Sequence, residues 1–302
     1  MQTFYSHGKL LISAEYAVLD GALALALPTK FGQSLKVETS SKNTIHWKSI
    51  SNEEVVWFEA EFLIDTALNI STSNTSDIAV RLVQVLEALQ QLNPTLFKAQ
   101  QGYALTSTLE FPENWGLGSS STLINNLAQW AKVDAFELLA LTFGGSGFDV
   151  ACAQYNKGIL YQLQRGKPTI QPVEFSPSFS ESLFFVHRNQ KQNSREGIAA
   201  YKTLTTDKSL DFSALNSLTL DLLNCSDLKT FELLVEQHET YISTLIQQPP
   251  LKEALFSDYK GAIKSLGAWG GDFFLATGNA NDMNYFKSKG YTTVVPFLDM
   301  IL

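Results

Sequence analysis

Residues 114–123 read NWGLGSSSTL, a combination of types and spacing that suits the holding of a phosphate. Gly116 and Gly118 let the backbone turn tightly and let a ligand approach it. Leu117 sits between them, and Ser119, Ser120 and Ser121 lead into what reads as a helix. A helix start presents unpaired N–H groups carrying partial positive charge. A serine-capped loop has the same composition, so the stretch alone does not decide between the two. It is not a Walker loop, because no lysine follows the second glycine before the serines. Nor does it have the spacing and following acidic residue of a dinucleotide fingerprint. Two other glycine-rich segments accompany it, one around Gly8 and one at Gly267–Gly271. In the latter, Gly267, Ala268, Gly270 and Gly271 either bring a second backbone close to a ligand or make a tight turn between helix and strand.

The elements that must position these loops follow from periodicity. KLLISAEYAVLDGALALALPT alternates apolar stretches around an Asp-Gly pair and reads as strand, turn, strand. QSLKVETSS, TIHWKSI and EEVVWFEAEF continue as strands, so the first third is mainly sheet. From Ser76 the period changes: Ile78, Leu82, Val85, Leu86 and Leu89 recur at helical spacing, with Ser76 or Asp77 as N-cap and Pro94 beyond the end. GYALTSTLEFP returns to strand, the glycine and serine loop follows, and a helix is expected over 119–132. DAFELLALTF and the middle of GGSGFDVACAQYNKG are helical, and GILYQL is a strand. The proline- and serine-rich KPTIQPVEFSPSFS marks a domain boundary near residue 170, dividing the chain into 1–170 and 171–302. Beyond it we expect the strand SLFFVH, helices around 195–205, 212–223 and 227–247, a strand ending SLGAWGGDFFLATG, and another in TTVVPFL.

Composition narrows the function classes. With 302 residues, 45% of them hydrophobic and 17% charged, the chain reads as a soluble globular protein with ample core. A formal net charge of −8 argues against nucleic acid or an anionic membrane as partner, so an anionic substrate must be met by local cations. Cys152 and Cys225 form no metal or disulfide framework and read as two buried thiols. His46, His187 and His238 are too scattered for a metal site, and no hydrolase triad is recognisable. The first residues lack the layout of a signal peptide, and GALALALPTKFG is too short to span a bilayer, so the expectation is a cytoplasmic protein, monomer or homodimer.

Three motifs in order carry a family resemblance. HGKLLISAEYAVLDGALALALP, PENWGLGSSST and SLGAWGGDFFLAT resemble the N-terminal, central phosphate-loop and C-terminal motifs of the GHMP kinases, the small-molecule kinases of galactose, homoserine, mevalonate and phosphomevalonate. They span residue 6 to about 277. AEYAVLDG is similar to a stretch of the mevalonate and phosphomevalonate kinases, and Gly-Phe-Asp-Val-Ala at 147–151 resembles the motif of a subgroup named for Gly-Tyr-Asp-Ile-Ala. The chain departs from the pattern at His7, Ala14, Asn114, Trp115 and Trp269, where proline, glycine or small residues are usual.

The resemblance implies an α+β, two-domain GHMP kinase fold: an N-terminal domain like the second domain of ribosomal protein S5 and a ferredoxin-like C-terminal domain. It implies ATP and Mg2+ as cofactors. Phosphoryl transfer to an alcohol needs a positioned hydroxyl, neutralised β- and γ-phosphates and usually magnesium. The amides of Gly116, Leu117, Gly118, Ser119, Ser120 and Ser121 would take the phosphates, with Trp115 shaping the nucleotide pocket. Ser120 would reach the metal, Asp149 would orient or deprotonate the acceptor hydroxyl, and Lys9 would lie beside it and the transferring phosphoryl group. For Asp149 the alternative is a helix N-cap, and for Lys9 a strand-edge lysine. Glu15 supports Lys9 or the substrate hydroxyls, or pairs with a surface cation. In HRNQKQNSREG, His187, Arg188, Lys191, Ser194 and Arg195 face an anionic acceptor or form a solvated loop. Gly147, Gly270 and Gly271 complete the acceptor side, and Asp272 is a candidate extra ligand. The expected activity is transfer of the γ-phosphoryl group of ATP to mevalonate or 5-phosphomevalonate. A sugar or homoserine kinase, a diphosphomevalonate decarboxylase and a non-catalytic binding protein of the same fold are the rivals.

Overall fold

The computed structural model describes residues 1–98, 101–190, 194–206, 208–267, 269 and 271–302. In chain order its strands are β1 (Gln2–Leu11), β2 (Ala24–Ser40), β3 (Thr44–Ile50), β4 (Val56–Ile64), β5 (Ile70–Ser71), β6 (Gly102–Leu109), β7 (Gly158–Gln164), β8 (Lys167–Val173), β9 (Leu183–His187), β10 (Ile263–Ser265), β11 (Phe273–Thr277) and β12 (Val294–Pro296). Its α-helices are α1 (Asp77–Leu92), α2 (Ser119–Ala131), α3 (Ala135–Thr142), α4 (Phe148–Ala153), α5 (Ser194–Thr205), α6 (Ser213–Asn224), α7 (Leu228–Ile246), α8 (Leu251–Leu255), α9 (Asn284–Ser288) and α10 (Phe297–Met300). The expected α+β class is thus observed, with a large sheet and a second, smaller antiparallel one. No helix among the described residues is long and apolar enough to cross a membrane.

Two compact units emerge, each discontinuous in sequence. The first gathers Met1–Gly8, Phe31–Glu113 and Gly118–Gln154. Its strands run in the order β5-β4-β3-β6-β2; β3 and β6 are parallel, and the other neighbours are antiparallel. In β3 and β4, buried and more exposed residues alternate, as period-2 strands with one packed face require. Trp47, Phe62 and Leu105 from the sheet share one core with Leu86 of α1, Leu127 of α2, Leu138 of α3 and Val150 of α4. Ser76 caps α1, its hydroxyl accepting from the Ala79 N–H as its position ahead of the apolar run led us to expect.

The second unit gathers Lys9–Lys30, Asn114–Leu117 and Tyr155–Leu302. Here the first residues of β2 pair with β7, and β7 pairs with β8. The smaller sheet has the order β10-β11-β9-β12. Its two central strands, LFFVH and FFLAT, are buried at every position, which explains their unbroken apolar run. Phe256, Tyr259 and Phe286 pack against Phe184 and Phe274 to form the core on that sheet.

The expected order of strand, turn and strand is observed as β1, a turn of 3-10 helix over Ala17–Asp20 that Gly21, at φ 92°, ends in the left-handed region, and β2. Two local expectations are corrected. KPTIQPV is not linker but β8, whose two prolines are tolerated because the strand lies at the end of the sheet. Cys152 is buried as expected, whereas Cys225, expected to be buried too, is only half-buried.

Candidate functional site

The phosphate-loop motif is built by two glycines in conformations other residues avoid. Gly116 has φ 64° and Gly118 φ 89°, and Gly118 is the N-cap of α2. Having no side chain, Gly118 leaves the first amides of this 13-residue helix without a side-chain cap. Ser119 is half-buried, Ser120 exposed and Ser121 buried. A buried polar network holds the helix in place behind them. Thr122 Oγ1 donates to Gln33 Oε1 at 2.5 Å, Gln33 Nε2 donates to Ser107 Oγ at 2.6 Å, and Asn126 Nδ2 donates to the Gln33 carbonyl at 2.8 Å. Ser6 Oγ donates to Asn126 Oδ1 at 2.8 Å and accepts from Asn125 Nδ2 at 2.9 Å. Each polar group in this chain of bonds is satisfied by its neighbour, which locks the helix start to the sheet.

Asp149 belongs to the same unit. Gly147, at φ 85°, is the N-cap of α4, and Asp149 lies in that helix's first turn. Ser121 Oγ donates to Asp149 Oδ2 at 3.5 Å, while Asp149 Oδ1 is buried with no hydrogen-bond partner. A buried carboxylate oxygen left in that state is costly. Among the described residues no cluster of three or more His, Cys, Asp or Glu could hold a metal. The exposed Ser120 hydroxyl and the Asp149 carboxylate are oxygen donors, the chemical type that magnesium takes.

In the other unit, residues 114–117 are gripped one after another. His187 Nε2 donates to the Asn114 carbonyl at 2.9 Å, and its Nδ1 accepts from the Asn189 N–H at 3.3 Å, which fixes the tautomer. The Trp115 ring meets Phe273 edge-on, 5.3 Å between centroids. Asp272 lies against Gly116, where an added Cβ would come within 1.8 Å of its Oδ2. The Lys9 N–H donates to the Leu117 carbonyl at 2.9 Å, and Lys9 Nζ donates to the Gly116 carbonyl at 3.4 Å. His187, grouped from sequence with the cations of an acceptor loop, thus holds the backbone of the phosphate-loop motif. The one sequence signal for this was its place at the end of a wholly apolar strand.

Glu15 has neither Lys9 nor a surface cation as its partner. It is completely buried, and Lys264 Nζ donates to its Oε1 at 2.5 Å. The same ammonium donates to Glu239 Oε1 at 3.1 Å and to the Ser265 carbonyl at 2.9 Å, and Ser265 Oγ donates to Glu239 Oε2 at 2.9 Å. Two carboxylates share one cation in a dry setting. Burial pushes Glu15 up to about 7, against the pull of Lys264 and with the push of Glu239. Burial also raises Glu239. For Lys264 burial opposes the charge, but the two carboxylates outweigh it and hold the ammonium above its ordinary value. His238 is driven well below its ordinary value by burial and by Lys264, so it is neutral, and its Nε2 accepts from the Ala14 N–H at 3.0 Å.

This cluster anchors a strained turn. Ala14 and Tyr16 have φ 63° and 59°, a region that residues with a side chain rarely enter. The Tyr16 hydroxyl accepts from the Trp269 N–H at 3.1 Å, its ring stacks on Tyr201 at 5.8 Å, and its hydroxyl lies where a side chain at Gly197 would stand. The turn that follows the Lys9 strand therefore joins α5 and the last glycine-rich segment. Of the remaining candidates, Gly271 is buried ahead of β11, while Ser194 and Arg195 open α5. Lys191, Ala268 and Gly270 lie outside the described residues.

No protein-family model matches the chain, and neither does any curated protein. Solved structures do match, and they define the architecture as the GHMP kinase fold expected from the three motifs. Mevalonate kinase from Methanococcus jannaschii superposes with a TM-score of 0.70 at 15% identity, covering 97% of this chain and 96% of that one. Phosphomevalonate kinase from Streptococcus pneumoniae, in complex with phosphomevalonate and AMPPNP, superposes with a TM-score of 0.68 at 18% identity, covering 100% and 98%. Galactokinase from Lactococcus lactis, complexed with galactose, gives 0.67 at 14% identity, covering 95% and 88%. At these identities the likeness is one of fold.

Proposed function

We propose that the protein is an ATP- and magnesium-dependent small-molecule kinase that phosphorylates mevalonate or 5-phosphomevalonate. The observation that carries this reading is left-handed Gly118, which opens α2 with first amides that no side chain caps, in the unit where Asp149 keeps a buried carboxylate oxygen without a partner. Support for the acceptor comes from the mevalonate and phosphomevalonate kinases among the matched structures, and support for ATP from the AMPPNP in one of them. In this reading the amides from Gly116 to Ser121 bind phosphate oxygens, with Trp115 beside the nucleotide. Ser120 and Asp149 would hold the magnesium ion, which neutralises charge on the transferring phosphoryl group. Asp149 orients the acceptor hydroxyl. Lys9 both supports the loop backbone and carries positive charge to the reacting phosphate.

Lys191, Ser194, Arg195, Gly147, Gly270 and Gly271 form the acceptor side of the proposal. Glu15 enters through the turn it anchors rather than through a bond to the acceptor. The test is ADP release from ATP and magnesium with mevalonate, 5-phosphomevalonate, diphosphomevalonate, homoserine and galactose supplied in turn. A response to one of the first two supports the reading. A response to galactose alone transfers it to a sugar kinase, which the galactokinase match also supports. Silence with all five refutes it.

A further inference from the structure

Helix α4, which carries Asp149, has six residues, and α2 holds it at both ends. Ser121 Oγ donates to Asp149 Oδ2 at 3.5 Å in the first turn of α4. Asn125 Nδ2 donates at 3.3 Å to the carbonyl of Ala153, the last residue of the same helix. Ser121 and Asn125 are one helical turn apart on α2, as Asp149 and Ala153 are on α4, so each pair shares one face of its helix. Both bonds join residues 28 positions apart, which sets the two helices side by side and pointing the same way. All four residues belong to the first unit.

The chemistry of Asn125 points to register rather than packing. It is 3% exposed, and an apolar side chain could fill such a place without burying an amide. Its amide also donates to Ser6 Oγ of β1 at 2.9 Å, so α4 and the sheet are tied to one side chain of α2. The last carbonyls of a helix have no partner within it, and Asn125 supplies one for Ala153 at this one offset. A slide of α4 along α2 would break both bonds and strand buried polar groups. Buried polar groups that fix a register at some cost in stability are known from helix pairs. Given the kinase reading, on which this inference rests, we propose that Ser121 and Asn125 are positioning residues that fix Asp149 beside the start of α2. Ser121 sets the direction of the carboxylate, and Asn125 sets where along α2 the helix bearing it stands.

The experiment is a double-mutant cycle on the full-length protein, read as ADP release from ATP and magnesium with whichever of mevalonate and 5-phosphomevalonate responds. Ser121→Ala and Asn125→Leu should each lower kcat on the order of 10-fold or more, since a displacement of about 1 Å at a reacting group costs up to about 100-fold. The KM for ATP should change by less than about 3-fold, because Thr122 and Asn126 still tie α2 to Gln33. In the Asp149→Asn background neither substitution should lower kcat further, because the group they position is already gone. An unchanged kcat in the single variants, equal losses in both backgrounds, or a loss confined to KM overturns the inference and leaves the kinase reading standing. Ser121→Ala removes one oxygen atom in the first turn of α2, so it carries the test if Asn125→Leu does not fold. If Asp149→Asn itself turns over at the wild-type rate, the inference falls while acceptor-dependent ADP release still supports a kinase. If the wild type releases ADP with no acceptor of the panel, the kinase reading and the inference fall together.

Discussion

Replacing Lys264 by methionine removes the one cation from a site that holds two carboxylates, and its cost follows from the geometry. Lys264 is 1% exposed, and its ammonium lies 2.5 Å from Glu15 and 3.1 Å from Glu239. Methionine fills much of the same volume, so packing changes little and the effect is electrostatic. Breaking a buried pair in this way costs about 3–5 kcal/mol, because the partner charge is stranded. The stranded carboxylates respond by taking up protons. Holding one carboxyl neutral at pH 8, against an ordinary value near 4.3, costs roughly 5 kcal/mol, and at pH 5 it costs only about 1 kcal/mol. The loss should therefore be several-fold larger at pH 8 than at pH 5. With a sensitivity of about 2–4 °C per kcal/mol for units of this size, the melting temperature at pH 8 should fall by roughly 6–20 °C. Denaturant titration followed by circular dichroism at both pH values measures it. Adding Glu15→Gln to the lysine variant should return a large part of the loss at pH 8. A loss at pH 8 below about 1 kcal/mol, or an equal loss at both pH values, would refute the reasoning.

Three further outcomes are expected. Glu15 is raised in the folded state to about 7 from 4.5, so the folded protein holds the extra proton across that window, and the group's contribution to stability falls as pH rises through it. Glu15→Gln should therefore gain on the wild type by roughly 3 kcal/mol between pH 5 and pH 8, read as the difference between their unfolding free energies, and parallel pH profiles would contradict this. Lys9→Met and Asp149→Asn should each lower turnover by roughly 100-fold or more while leaving the melting temperature near that of the wild type; unchanged steady-state rates in both would remove them from the mechanism. Gly197→Ala would place a methyl group 2.2 Å from the Tyr16 hydroxyl, so it should destabilise by about 1–3 kcal/mol in a thermal melt, and Tyr16→Phe in the same chain should relieve part of it.

Much of this protein was legible before its structure. The helical spacing from Ile78 to Leu89, the alternation in β3 and β4, the helix after the serines and the apolar run of β9 are local patterns, and each fold element appeared where its period placed it. The phosphate-loop motif was legible for the same reason, since glycines, serines and a helix start are neighbours in the chain. β8 escaped because its prolines normally argue against a strand, and only its place at the end of a sheet makes them harmless.

What tertiary structure alone decided are the partnerships between distant residues. Glu15 shows no sign in its surroundings that its cation lies 249 positions away, or that Ala14 bonds to a histidine 224 positions on. His187 and Asp272 reach Asn114 and Gly116 because β9 and β11 pair in one register, and register is a property of two strands together. Period and propensity act over a few residues and can be read along the chain. The pairing of buried charges and the delivery of a side chain to a loop depend on which surfaces meet, so they exist only once the chain has folded.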